Sequence, residues 1–181
     1  MSARFLQPYE MDSARMVFKS SLAYARVRII EDVLWPNWLG RIGSWLTQSP
    51  APGDNAVCLG NRIYFPRKLQ TDPRESTFSL VDMSWLMHEL THCWQYQQDG
   101  LIYLFQALKV QLQQGSSAYQ YGGEEGLVRA RQHGMELRDF NREQQADIVR
   151  HYFYRLQEGA PAAAWLPFID DIAPSDPPSR I

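Results

Sequence analysis

Apolar positions repeat along this chain at two different spacings, and the spacings divide it into elements. From residue 10 to 34 they fall at Met16, Val17, Leu22, Ala23, Val27, Ile30 and Leu34, close to the 3.6-residue helical period. A first helix is expected there, stopped by Pro36. Trp35, Trp38 and Trp45 mark an aromatic, turn-rich stretch expected to cover one end of the core, and residues 49–55 read as loop. In AVCLGNRIYFP the pairs Val57/Leu59 and Ile63/Phe65 alternate on either side of Gly60-Asn61, which predicts a short hairpin ended by Pro66. Residues 67–78 are polar and read as loop.

The next segment is the most strongly patterned. Ser79 followed by Asp82 makes a capping box with Asp in the usual Glu position. Met83, Leu86, Met87, Leu90 and Trp94 then form an apolar stripe, and Gly100 stands where a helix stops. A helix is expected over 79–99. Another is expected over 101–114, followed by a Tyr/Gly-rich loop over 116–126. A long last helix is expected over 127–158, broken near Gly134. Together these predict an α+β fold, mainly α, with a small edge sheet or hairpin. One domain is expected over 1–158, with a Pro/Ala-rich tail over 159–181.

Composition narrows the function classes. The formal net charge is -2, and the arginines are scattered rather than gathered in a basic stripe, which argues against a nucleic-acid partner. Leu101–Val110, interrupted by Gln106 and Lys109, is too short to span a bilayer, so no integral membrane segment is expected. The N-terminal residues lack the apolar core of a signal peptide. Synthesis in the cytoplasm is expected, with any action outside the cell depending on another export route. Cys58 and Cys93 are too few for a disulfide framework and read as thiols.

The chemistry is concentrated in His88-Glu89-Leu90-Thr91-His92. On a helix, positions i and i+4 share a face, so two imidazoles there can hold one ion at about 2.0–2.1 Å from each nitrogen. Glu89 projects beside them, outside the ligand row, where a carboxylate can take a proton from water that Zn²⁺ acidifies. This is the pattern of a zinc metallopeptidase, a hydrolase whose substrate is a protein or peptide. A catalytic site of this kind needs a third protein ligand. A metzincin would place Gly and His at the third and sixth positions after the second histidine, where this chain has Gln95 and Gln98. Downstream, Glu143 and Asp147 are again i and i+4. Glu143 can serve as ligand while Asp147 accepts the spare ring N–H of a ligand histidine. Glu136 is the chief rival for third ligand, followed by Asp139 and His151. Trp94 and Gln95 read as core and helix-surface residues.

NREQQAD, residues 141–147, resembles the N-x-E-x-x-[SA]-D element of gluzincins. A wider similarity covers GNRIYF, HELTHCWQYQ with Gly100, AYQY, and DFNREQQADIVRHYF. These segments resemble bacterial metallopeptidase domains linked to type VI secretion, either fused to VgrG spike proteins or encoded beside secretion components. The resemblance implies a zincin-like fold with an active-site helix, Zn²⁺, and the role of an effector toxin delivered to the periplasm or cytosol of a target cell. A secretion spike protein and a cognate immunity protein are the implied partners. It places the metal ligands at His88, His92 and Glu143 and the base at Glu89. Cys93 departs from the family, which often has an aliphatic residue there. Two further implications are a rim strand at Gly60–Phe65 and an oxyanion-stabilising group among Tyr119, Tyr121, His133 and His151. The competing reading is a zinc-stabilised adaptor module of a secretion spike that cuts nothing.

Overall fold

A strand stands where the second half of the first expected helix would be. The computed structural model describes residues 2–35, 55–100 and 120–173. Helix α1 covers only Pro8–Phe18 and ends where Lys19 takes a positive φ of 45°. The chain then turns and forms strand β1, Arg28–Ile30. The apolar residues that suggested helical spacing include Val27 and Ile30, which flank Ile29. β-branched side chains lose rotamer freedom in a helix and fit a pleated surface, and the sheet claims them here.

The expected hairpin is present as β2, Val57–Leu59, and β3, Arg62–Tyr64, joined at Gly60, whose φ of 67° suits the tight turn. The sheet has three strands in the order β1-β3-β2. β3 runs parallel to β1, with Ile29 opposite Ile63, and antiparallel to β2, with Cys58 opposite Ile63. The middle strand of the sheet is therefore the one expected to form a substrate-binding rim. β3 has a neighbour on each side, so Gly60–Phe65 offers no edge to an extended peptide.

The row Ile29–Ile63–Cys58 is buried and belongs to a core shared with helix α2, Leu80–Asp99. Ser79 caps α2 by accepting from the Asp82 N–H, and Gly100, at φ 65°, ends it, but the expected capping box is only half formed, because the Ser79 N–H donates to the Gln70 carbonyl instead. Asp82 also accepts a two-pronged ion pair from Arg67, at 2.7 Å on each oxygen, which fastens the loop after the sheet to the start of α2. Arg4 binds the fully buried Glu10 and the partly buried Glu31, and so ties the N-terminus to α1 and the chain after β1.

The expected long C-terminal helix is two helices, α3 at Gly123–Gln132 and α4 at Arg142–Gln157. The break extends from Gly134 (φ 75°) through a single 3₁₀ turn at Leu137–Asp139. α3 starts earlier than expected because Gly126 allows its first turn to close on the chain before it. A Cβ there would stand 2.3 Å from the Tyr121 carbonyl oxygen. After residue 158 the chain packs back on the core as far as residue 173. Helix α5, Leu166–Asp170, follows, and Trp165, Phe168, Ile169 and Ile172 join the same core as α2 and α4. The chain is thus mixed α/β and mainly helical, with one small three-stranded sheet among the described residues. Trp38, Trp45, the expected helix over 101–114 and Tyr119 lie outside those residues.

Candidate metal centre

α2 is buried on nearly every side, and α4 packs across it. Asn141 caps α4 by accepting from the Gln144 N–H at 2.9 Å, while the Gln144 side chain accepts from the Asn141 N–H at 3.1 Å. Arg142, the next residue, pairs with Asp99 at the far end of α2. These contacts fix Glu143 in the first turn of α4, where the helix dipole favours an anion.

Glu143 meets the two motif histidines. His88 Nε2 and His92 Nε2 are 3.3 Å apart, and the Glu143 Oε2 atom is 3.4 Å from the first and 3.5 Å from the second. Each of the three residues is buried, at 7%, 7% and 8% exposure. The outward nitrogens show what these inner atoms carry. His88 Nδ1 lies 3.0 Å from Asp147 Oδ1, a carboxylate that can only accept, so Nδ1 is the protonated nitrogen. His92 Nδ1 donates to Gln95 Oε1 at 2.9 Å. The Gln95 amide in turn donates to Gln145 Oε1 and to the Arg142 carbonyl, and Gln145 donates to the Phe140 carbonyl. With both imidazoles neutral, each Nε2 would turn a lone pair inward beside the Glu143 carboxylate, a converging set of acceptors that a metal cation could satisfy; without metal, protons on the histidines take that part.

A zinc ion fits that arrangement. Tetrahedral donors about 2.0–2.1 Å from zinc lie about 3.3–3.4 Å from one another. The three observed separations match this, and the donor set of two imidazoles and a carboxylate is one that zinc takes. The grouping could hold a metal ion; the identity of the ion is a matter of the chemistry proposed below.

Glu89 is buried, at 5% exposure, and is not one of the three donors. Burial pushes its carboxyl up; His88 and His92 pull it down, the Glu143 charge adds to the rise, and a hydrogen bond from Trp85 opposes it. Glu136, the rival ligand, is paired with Arg138 at 2.9 Å and capped by Asp139 in its own 3₁₀ turn. His151 continues the Glu143–Asp147 face by one more turn, but its Nδ1 is engaged by the Tyr121 hydroxyl at 2.7 Å, and Trp165 Nε1 donates to the same hydroxyl at 3.1 Å. His133 caps the end of α3 through the Arg129 carbonyl. Gln95 was expected on the helix surface. It is instead fully buried and orients His92. Its spacing of three from His92 was the only local sign of this role. A cavity of about 670 Å³ lined by Trp94, Leu137, Arg138 and Leu166 contains none of the donors.

Electrostatics give the triangle a defined response to pH. Without metal, burial opposes a charge on His88, but its bonds to Asp147 and Glu143 outweigh that and raise its pKa to about 10. For His92 burial is likewise outweighed by the Glu143 charge and hydrogen bond, and despite repulsion from His88 the pKa rises to about 9. Burial works against the Glu143 carboxylate, but the His92 charge and the bonds from both histidines hold it well below the usual range. Raised histidines stabilise the metal-free fold fully below their unfolded pKa of about 6.5, and that contribution fades as pH climbs through about 9 to 10. Metal needs the neutral imidazoles, so zinc uptake at pH 7 is expected to release about one to two protons per ion. Calorimetry in buffers of differing ionisation enthalpy checks this, and zero release would contradict it. Asp147→Asn, which keeps the shape and removes the charge behind His88, is expected to weaken zinc by about 10- to 100-fold in a competition titration with a chelator.

No family model matches the chain, and no solved structure matches it. Its sequence is similar to the type VI secretion system spike protein VgrG2b of Pseudomonas aeruginosa strain PAO1, 31% identical over 163 residues. The match covers 90% of this chain and 14% of VgrG2b, so the chain spans about a seventh of that relative's length. The similarity links the chain to type VI secretion. No helix among the described residues is long and apolar enough to cross a membrane.

Proposed function

We propose that the chain is a zinc-dependent peptidase of zincin-like fold, acting as an effector toxin of a type VI secretion system. The carrying observation is the buried triangle of inward-facing acceptors on His88, His92 and Glu143, with Glu89 beside it. When bound, zinc supplies Lewis acidity, which polarises a scissile carbonyl and acidifies water. His88, His92 and Glu143 hold the ion from three sides. Asp147 and Gln95 keep the two imidazoles in the ligating tautomer. Glu89 takes the proton of the attacking water and returns it to the leaving amine. A carboxyl whose pKa is raised by burial suits both transfers. A site that served structure alone would have no use for a buried, upshifted carboxylate between its two histidines.

The link to a spike protein supports a route of delivery, with the spike as carrier and the periplasm or cytosol of a target cell as destination. A cognate immunity protein in the producing cell follows from that reading. The test is incubation of the zinc-loaded chain with a mixed peptide library. Cleavage that stops on chelation and returns with zinc is expected. A chain that binds one zinc and cleaves nothing, in the library or in cell-wall peptides, would favour the adaptor reading instead.

A further inference from the structure

Cys58 is the middle residue of β2, and Cys93 directly follows His92 on α2. Their Sγ atoms lie 3.4 Å apart, and both residues are buried thiols. The metal centre does not use them, since the three converging donors come from other residues. The core does not demand sulfur either, because a free buried cysteine packs as a small apolar side chain, a place alanine can also take. What the pair adds is a short path between an edge strand and the helix that carries the donors.

We propose that Cys58 and Cys93 form a reversible disulfide when the chain meets an oxidising compartment, clamping β2 onto α2 beside His92. Sulfurs in a disulfide are about 2.0 Å apart, so the pair must close by about 1.4 Å, within reach of small side-chain rotations. The oxidant is a disulfide compound, such as oxidised glutathione or a thiol oxidoreductase. The Cys58 thiolate attacks it and releases one thiol, leaving a mixed disulfide. The Cys93 thiolate then attacks the Cys58 sulfur and releases the second thiol. Two electrons pass from the cysteines to the oxidant, and their two protons leave on the two released thiols. Because both sulfurs are buried, the exchange proceeds during folding or when the short strand opens locally. The inference stands apart from the hydrolytic reading, since it needs neither zinc nor Glu89.

The test refolds the full chain at a series of ratios of reduced to oxidised glutathione, then unfolds and alkylates it for intact-mass analysis. In the oxidised sample both alkylation sites are expected to vanish with no added glutathione and no dimer. Its Tm is expected to exceed that of the reduced chain by about 5–10 °C, reversibly with reductant, from closure of the loop between the two cysteines. Cys58→Ser and Cys93→Ser are expected to abolish the redox dependence of Tm and to carry one glutathione each. Two alkylatable thiols after oxidative refolding, or a bond between chains, would overturn the pairing. A bond without a Tm shift would overturn the clamp. The wild-type readings decide the matter even if a serine variant fails to fold.

Discussion

Glu89→Gln is expected to bind zinc like the wild type and to cleave substrate about 10²- to 10⁴-fold more slowly, the range a positioned general base contributes. The substitution keeps the shape and removes only the ability to take a proton. Glu89 is not a donor of the metal triangle, so the ion should stay. Its carboxyl is buried and its charged form disfavoured, so an amide there should leave the fold at least as stable. Activity and metal content therefore separate in this variant. Cleavage by Glu89→Gln at the wild-type rate would remove the base from the mechanism and leave a zinc site without peptidase chemistry.

Glu143→Ala is expected to do the reverse. It removes one of three donors, a loss on the order of 3 kcal/mol in zinc affinity, or about two orders of magnitude. It also leaves His88 and His92 buried without the carboxylate that offsets their charge. Breaking a buried ion pair from one side costs about 3–5 kcal/mol. Zinc-free Glu143→Ala should accordingly unfold at a lower denaturant concentration than the zinc-free wild type, and zinc should restore little. Glu136→Ala removes a partly exposed partner of Arg138 and the cap of one 3₁₀ turn, neither of them a metal donor, and should leave zinc affinity unchanged with at most about 1 kcal/mol of lost stability.

The parts of this site that lie within one helix were legible in the sequence. The cap at Ser79, the stripe through Met83 and Leu90 and the stop at Gly100 set the frame of α2, and the spacing of His88 and His92 follows from helical geometry. The same holds for Glu143 and Asp147 on α4. Their meeting with the histidines is a tertiary event between segments about 50 residues apart, and no periodicity announces it; the i, i+4 carboxylates made Glu143 a candidate, and the resemblance set it above Glu136. Gln95 escaped for the same reason. Its partners, Gln145 and the Arg142 carbonyl, belong to the facing helix, so an apparently polar surface position is a buried hinge of the ligand network. The error at β1 has a related cause. Val27 to Ile30 carry both a loose helical spacing and strong β character, and pairing with β3, more than 30 residues later, decides between them. The misplaced rim strand follows directly, since only the existence of β1 makes β3 the middle strand. The apolar residues Trp165, Phe168 and Ile169 allowed either docking on the body or occupation of the cleft, and tertiary packing decides for the core.

The most direct measurement is the zinc content of the purified chain by elemental analysis, with Glu143→Ala and Glu136→Ala prepared alongside. The account predicts about one zinc per chain in the wild type and in Glu136→Ala and little or none in Glu143→Ala. A wild-type chain that takes up no zinc at neutral pH, or a Glu143→Ala chain that keeps a full equivalent, would contradict it.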